Sequence, residues 1–158
     1  MTAMTALPLP RGRAFTRADL DGMPDDGHRY ELIDGILLVS PSPSHRHQRA
    51  AARLFTVLQA AITDDHSLEV LFAPFDVVLG DDTIVQPDLL IARAADFTAH
   101  DLPVPPLLAV EVLSPSSRRI DRLLKHGRYA AAGVQHYWVV DPDGPSLTAW
   151  ALGADGSY

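Results

Sequence analysis

Three acids stand where acids are costly. Glu111 lies in Leu-Leu-Ala-Val-Glu-Val-Leu, between valines. Asp88 lies in Val-Gln-Pro-Asp-Leu-Leu-Ile, and Glu31 in Tyr-Glu-Leu-Ile, just before an Asp-Gly pair. A carboxylate inside an apolar strand is expensive to bury unless it is paired or holds a metal. For any one of them, a solvent-facing strand position or a buried salt bridge is an equal alternative. Three acids so placed weaken that alternative. If they converge to within about 4 Å, each pair repels by roughly 4 kcal/mol at an effective dielectric of about 20. Such a cluster either takes up protons or binds a divalent cation, and all-oxygen ligation favours Mg2+ or Mn2+ over zinc.

Lys125 is the fourth group of interest. It sits on the helix that follows Glu111, with Asp121 four residues before it and Tyr129 four after. These three share a helix stripe, distinct from the apolar face expected of Ile120, Leu123, Leu124 and Ala131. The stripe can look along the sheet edge towards Glu111. The alternative is a solvated Asp121–Lys125 pair worth a few tenths of a kcal/mol.

Other arrangements compete poorly. His45 and His47 are two apart and do not share a helix face, so they flank the site or cap the helix rather than bind zinc. Ser114 and Ser116 lie outside any Gly-x-Ser-x-Gly elbow and read as helix caps. The glycines form no phosphate-binding loop or dinucleotide fingerprint.

The elements that must position these residues follow from local pattern. Thr16 and Asp19 cap a short helix ending near Gly22. Tyr30–Ile33 and Ile36–Val39 flank Asp34-Gly35, a strong hairpin signal. Ser44 opens a helix with Leu54, Leu58, Ala61 and Ile62 on one face. Strands are expected at 68–72, 75–79, 84–91 (interrupted by Pro87), 107–113, 134–140 and 146–152, with a proline-rich connection over 94–106. Pro115 and Ser116 open the helix that carries Lys125, and Gly133 ends it. Helices alternating with strands predict one α/β domain with a mixed, curved sheet, over 14–158, after a flexible tail at 1–13.

Composition bounds the rest. The chain has 158 residues, 47% hydrophobic, enough for a sizeable core. It has no cysteine, which rules out thiolate chemistry and disulfides. No apolar run approaches the roughly 20 residues that span a bilayer, and residues 1–10 lack a secretory pattern, so a cytoplasmic location is expected. The net charge of −7 argues against tight non-specific DNA binding. It does not argue against a nuclease, whose metal site is itself acidic, and arginines do cluster at 46–53 and 118–128.

Taken in order, Tyr30–Gly35, Ser42–Gln48, Ala73–Val77, Val85–Asp88, Val110–Ser116, Asp121–Lys125 with Tyr129, and Gly133–Pro142 form a specific series. From about residue 15 to 152 it resembles the Uma2 family of restriction endonuclease-like proteins. The resemblance implies the PD-(D/E)XK nuclease fold, a mixed sheet flanked by helices. It implies Asp88 and Glu111 as the central Mg2+ or Mn2+ ligands, with Glu31 completing the acidic cluster. The superfamily usually has lysine two residues after the second acid. Here that position is Leu113, which makes Lys125, on the following helix, the counterpart. Gln86 would orient a ligand or water. The implied activity is metal-dependent hydrolysis of DNA phosphodiesters by a homodimer. The alternative is a non-catalytic nucleic-acid or protein-binding module on the same fold.

Overall fold

The computed structural model describes residues 10 and 12–158 apart from 116, 117 and 119, and describes Asp121 and Arg122 by their backbone alone. The expected helix opening at Ser116, the side chain of Asp121 and most of the expected tail lie outside the described residues.

Among the described residues, ten strands form two five-stranded sheets where a single mixed sheet was expected. The first is ordered β2 (Ile36–Ser40), β1 (Arg29–Ile33), β5 (Thr83–Val85), β4 (Asp76–Gly80) and β7 (Asp101–Leu102). The second is ordered β10 (Ser146–Ala151), β9 (His136–Asp141), β8 (Leu108–Val112), β6 (Leu89–Arg93) and β3 (Leu68–Phe72). Each is mixed: β4 runs parallel to β7, and β8 parallel to β9, among antiparallel neighbours. The split falls at Pro87. A proline has no N–H for a ladder. The run expected as one strand over 84–91 therefore breaks into β5 of the first sheet and β6 of the second. The two-residue β7 lies inside the proline-rich connection, too short to leave a periodic signal.

Local chemistry fixes the boundaries. The β1–β2 hairpin turns on Asp34 and Gly35, both at positive φ (53° and 72°), which is the turn Asp-Gly favours. Helix α1 (Arg17–Asp21) carries a capping box, with the Thr16 backbone N–H and hydroxyl both donating to Asp19 at 2.8 Å. Ser44 caps α2 (His45–Ala61), its hydroxyl accepting from the His47 backbone N–H at 3.3 Å. Gly133 closes α3 (His126–Ala132) in the left-handed conformation, φ 85°.

Strand alternation explains the layers. Ile33, Val77, Val85 and Leu102 of the first sheet pack with Leu90, Ala92, Ala109, Tyr137 and Val139 of the second, in a core that also takes Tyr129 and Leu113. On the outer face of the second sheet, Leu89, Ile91, Leu108 and Val110 meet Leu58 of α2. On the outer face of the first, Tyr30, Leu32 and Ile84 meet Leu20 of α1. Both faces of the second sheet are covered at its central strands, so β6 and β8 read as near-continuous apolar runs.

The segment before α3 departs from the sequence expectation. Ile120–Lys125 is a π-helical turn. Its i→i+5 bonding widens the helix and shifts each side chain's direction relative to an α-helix. Leu123, expected in the core, is 70% exposed, and Ala131 is also exposed, whereas Leu124 packs against the core and Lys125 is buried. Among the described residues no helix is long and apolar enough to cross a membrane.

Candidate active site

The site lies where the two sheets meet. On β1, Arg29 and Glu31 share a face with the core residue Ile33; on β8, Glu111 shares a face with Ala109 and Leu113. Glu31 and Glu111 thus approach from different sheets. Asp88 sits in the crossing segment between β5 and β6. Because Leu89 pairs with Val110, the antiparallel register brings Asp88 beside Glu111. The π-helical turn delivers Lys125 to the gap.

Lys125 Nζ donates to Glu31 Oε1 at 2.8 Å and to Glu111 Oε1 at 3.0 Å. Tyr129, one helical turn later, donates its hydroxyl to the same Glu111 oxygen at 2.8 Å. The backbone N–H of Gln86 donates to Glu31 Oε1 at 2.7 Å. The four residues singled out by sequence are all buried: Glu31 3%, Asp88 4%, Glu111 1% and Lys125 2% exposed. A solvated helix position for Lys125 is thereby excluded. Each acid does take part in a buried salt bridge: Glu31 and Glu111 share Lys125, whereas the partner of Asp88 is Arg29, outside the four.

Asp88 is held differently. Arg29 Nη1 donates to its Oδ1 at 2.7 Å, while His47 Nε2 and the Val112 backbone N–H reach its Oδ2 at 3.1 and 2.7 Å. Burial works to raise the Asp88 pKa, but the His47 hydrogen bond and the Arg29 charge outweigh it and hold the carboxyl below its ordinary range. For Arg29, burial works against the charge, yet Asp88 foremost, then Glu31 and Glu111, raise its pKa above the ordinary value. Burial, then the Glu111 charge, pushes the Tyr129 phenol well up, so it stays a donor.

Sequence reasoning left Arg29 out of the site and treated His47 as a flanking residue. The signal for Arg29 was its position two residues before Glu31, which on a strand means the same face. For His47 no local signal distinguishes a buried ring from a capping one. Gln86 donates through Nε2 to Asp76 at 2.8 Å, and its Oε1 is buried without a partner, as is His47 Nδ1.

The donor chemistry suits a hard cation: Asp88, just before β6, and Glu111, on the neighbouring β8, offer carboxylate oxygens, and Mg2+ is commonly held by one or two carboxylates with several waters retained. Among the described residues no three His, Asp or Glu side chains are grouped to hold a metal ion. The repulsion expected of three acids is instead met by Lys125 and Arg29. Asp88 and Glu111 fit a two-carboxylate site better than a cage of three.

The family model of Uma2, described as a putative restriction endonuclease, matches residues 17–158. This chain belongs to the Uma2 family. A solved structure of a putative nuclease of the DUF820 family from Anabaena variabilis is similar, with a TM-score of 0.73 at 17% identity, covering 87% of this chain and 79% of that one. The fold is restriction endonuclease-like. No curated protein matches the chain. Uma2 membership fits the PD-(D/E)XK expectation. Leu113 is buried in the core, and Lys125 reaches Glu111 from the helix instead.

Proposed function

We propose that this Uma2 protein is a metal-dependent nuclease that hydrolyses phosphodiester bonds of DNA, with Glu31, Asp88, Glu111 and Lys125 as its catalytic groups. The observation that carries the reading is the buried Lys125 ammonium between Glu31 and Glu111, with Asp88 beside them. Asp88 and Glu111 would hold Mg2+ or Mn2+, with Glu31 completing the acidic set. When bound, the ion supplies a Lewis acid that polarises phosphate oxygens and acidifies a water.

The chain's own groups do the rest. Glu31 and Glu111 fix Lys125 Nζ, which stabilises the charge developing on the phosphate. Tyr129 holds Glu111 in one orientation. Gln86, oriented through Asp76, presents a buried carbonyl acceptor suited to orienting a water. No covalent nucleophile is required. On the family resemblance the reading carries a homodimer, which sedimentation at micromolar concentration tests.

The decisive experiment assays plasmid DNA, RNA and a small phosphodiester with Mg2+ or Mn2+, comparing wild type with Asp88→Asn and Lys125→Ala below their melting temperatures. Cleavage should need the ion and fall by on the order of 100-fold or more in either variant. Mn2+ at a hundredfold excess over its dissociation constant should also add about 2.7 kcal/mol of stability, a gain that Asp88→Asn removes. A wild type that cleaves none of the three substrates would leave the non-catalytic binding module as the better reading.

A further inference from the structure

Among the described charged groups of this cluster, Arg29 has donors to spare. Its Nη1 donates to Asp88 Oδ1 at 2.7 Å and to the Gln86 carbonyl at 3.1 Å. A guanidinium carries five N–H donors, and Nε and Nη2 have no protein partner among the described residues. The side chain is 21% exposed, against 4% for Asp88 and 3% for both Lys125 and Glu31. Arg29 is therefore the outermost charge of the set, pinned by one nitrogen, with its other edge open.

The charge balance points the same way. Among the described carboxylates, ammonium and guanidinium groups, Glu31, Asp88 and Glu111 face two fixed cations, Lys125 and Arg29, which leaves one net negative charge. One divalent cation would turn that to one net positive charge, which a single phosphodiester matches. A planar guanidinium suits the two non-bridging oxygens of a phosphate, which an ammonium engages only as a point charge.

We propose that Arg29 is a substrate-binding residue of this site, its open guanidinium edge taking the non-bridging oxygens of the phosphodiester while Nη1 keeps hold of Asp88. The proposal rests on the nuclease reading for its substrate class. The competing role is purely local, a positive charge that neutralises Asp88.

Arg29→Lys separates the two, because it keeps the charge and loses the fork. Three quantities are read on wild type, Arg29→Lys and Arg29→Gln: binding of a short DNA duplex in Ca2+ by fluorescence anisotropy, Mn2+ affinity by electron paramagnetic resonance, and the melting temperature. Both variants should lose duplex affinity by about tenfold or more. Mn2+ affinity should hold in Arg29→Lys, which keeps the charge, and hold or tighten in Arg29→Gln, which removes a cation beside Asp88. Arg29→Lys that binds duplex like wild type overturns the proposal, as does a loss of Mn2+ affinity in step with the loss of DNA. Should neither variant fold, phenylglyoxal labelling of the wild type, read by mass spectrometry on the peptide containing Arg29, gives the answer. Protection by the duplex supports the role, and equal labelling with and without it overturns it. Duplex binding that depends on Arg29 in a protein that never cleaves would keep this inference and sink the nuclease reading. Cleavage indifferent to Arg29→Lys would do the reverse.

Discussion

Lys125 and Arg29 both neutralise acids of one site, but they stand in different physical situations. Lys125 is almost wholly buried and serves two carboxylates at 2.8 and 3.0 Å. Arg29 is a fifth exposed and serves one carboxylate at 2.7 Å. Removing a buried charge strands its partners without water, whereas removing a partly exposed one lets solvent take its place. The Lys125 half of the site is thus a condition of the fold. The Asp88–Arg29 half is more adjustable, and Arg29 has donors free for a ligand.

The largest effect expected from this contrast is at Lys125. Lys125→Ala leaves Glu31 and Glu111 buried and uncompensated, and should cost about 3–5 kcal/mol of stability in metal-free buffer, read by urea unfolding. Alanine's good helix propensity offsets little of this. A loss within about 0.5 kcal/mol, as for a surface pair, would contradict the burial of Lys125 and erase the contrast.

Asp88→Asn probes the other half and should cost less, about 1.5–3 kcal/mol at neutral pH, the range for hydrogen bonds to a charged group. The asparagine can still accept from the Val112 backbone N–H, and Arg29 can turn to solvent. The effect also has a pH signature. The folded Asp88 pKa lies below the unfolded value of about 3.9, held down by His47 and Arg29 against burial. Its contribution is therefore fully present above that unfolded value and is lost as pH falls towards about 2. Acid titrations of stability should show Asp88→Asn flattening that window, while an unchanged acid slope would mean that Asp88 is not held as described.

Much of this is legible in the amino-acid sequence, and the legible part is the local part. The Asp34-Gly35 hairpin, the Thr16–Asp19 box, the Ser44 cap and the Gly133 stop each depend on residues within a few positions of one another. Glu31, Asp88 and Glu111 stand out because charge within apolar runs is visible in the string, and Lys125 because it shares a helix stripe with Asp121 and Tyr129. What could not be read there was set by distant partners. Pro87 announced a break, but only the packing of Leu89 and Ile91 under α2 sends the second half of that run into another sheet. Arg29 became a site residue because Asp88, 59 residues away, lies against it. The rule that three acids must take protons or a metal overlooked the third solution, which is to import cations from elsewhere in the chain.

Leu123 gives the smallest expected effect and the sharpest check on how Lys125 is delivered. With an α-helical period, Leu123 joins Ile120 and Leu124 on the core face, and Leu123→Ala should cost about 2–5 kcal/mol. The π-helical turn over Ile120–Lys125 instead leaves Leu123 70% exposed. Truncating a side chain already in water changes stability by no more than about 0.5 kcal/mol. Leu124, which packs against the core beside Tyr129, should lose clearly more when cut to alanine. The two variants, unfolded in urea side by side, test the turn without touching any charged group. A large loss at Leu123 with a small one at Leu124 would mean that the segment winds as an ordinary α-helix. Lys125 would then be turned away from its place between Glu31 and Glu111, and the contrast with Arg29 would lose its inner member.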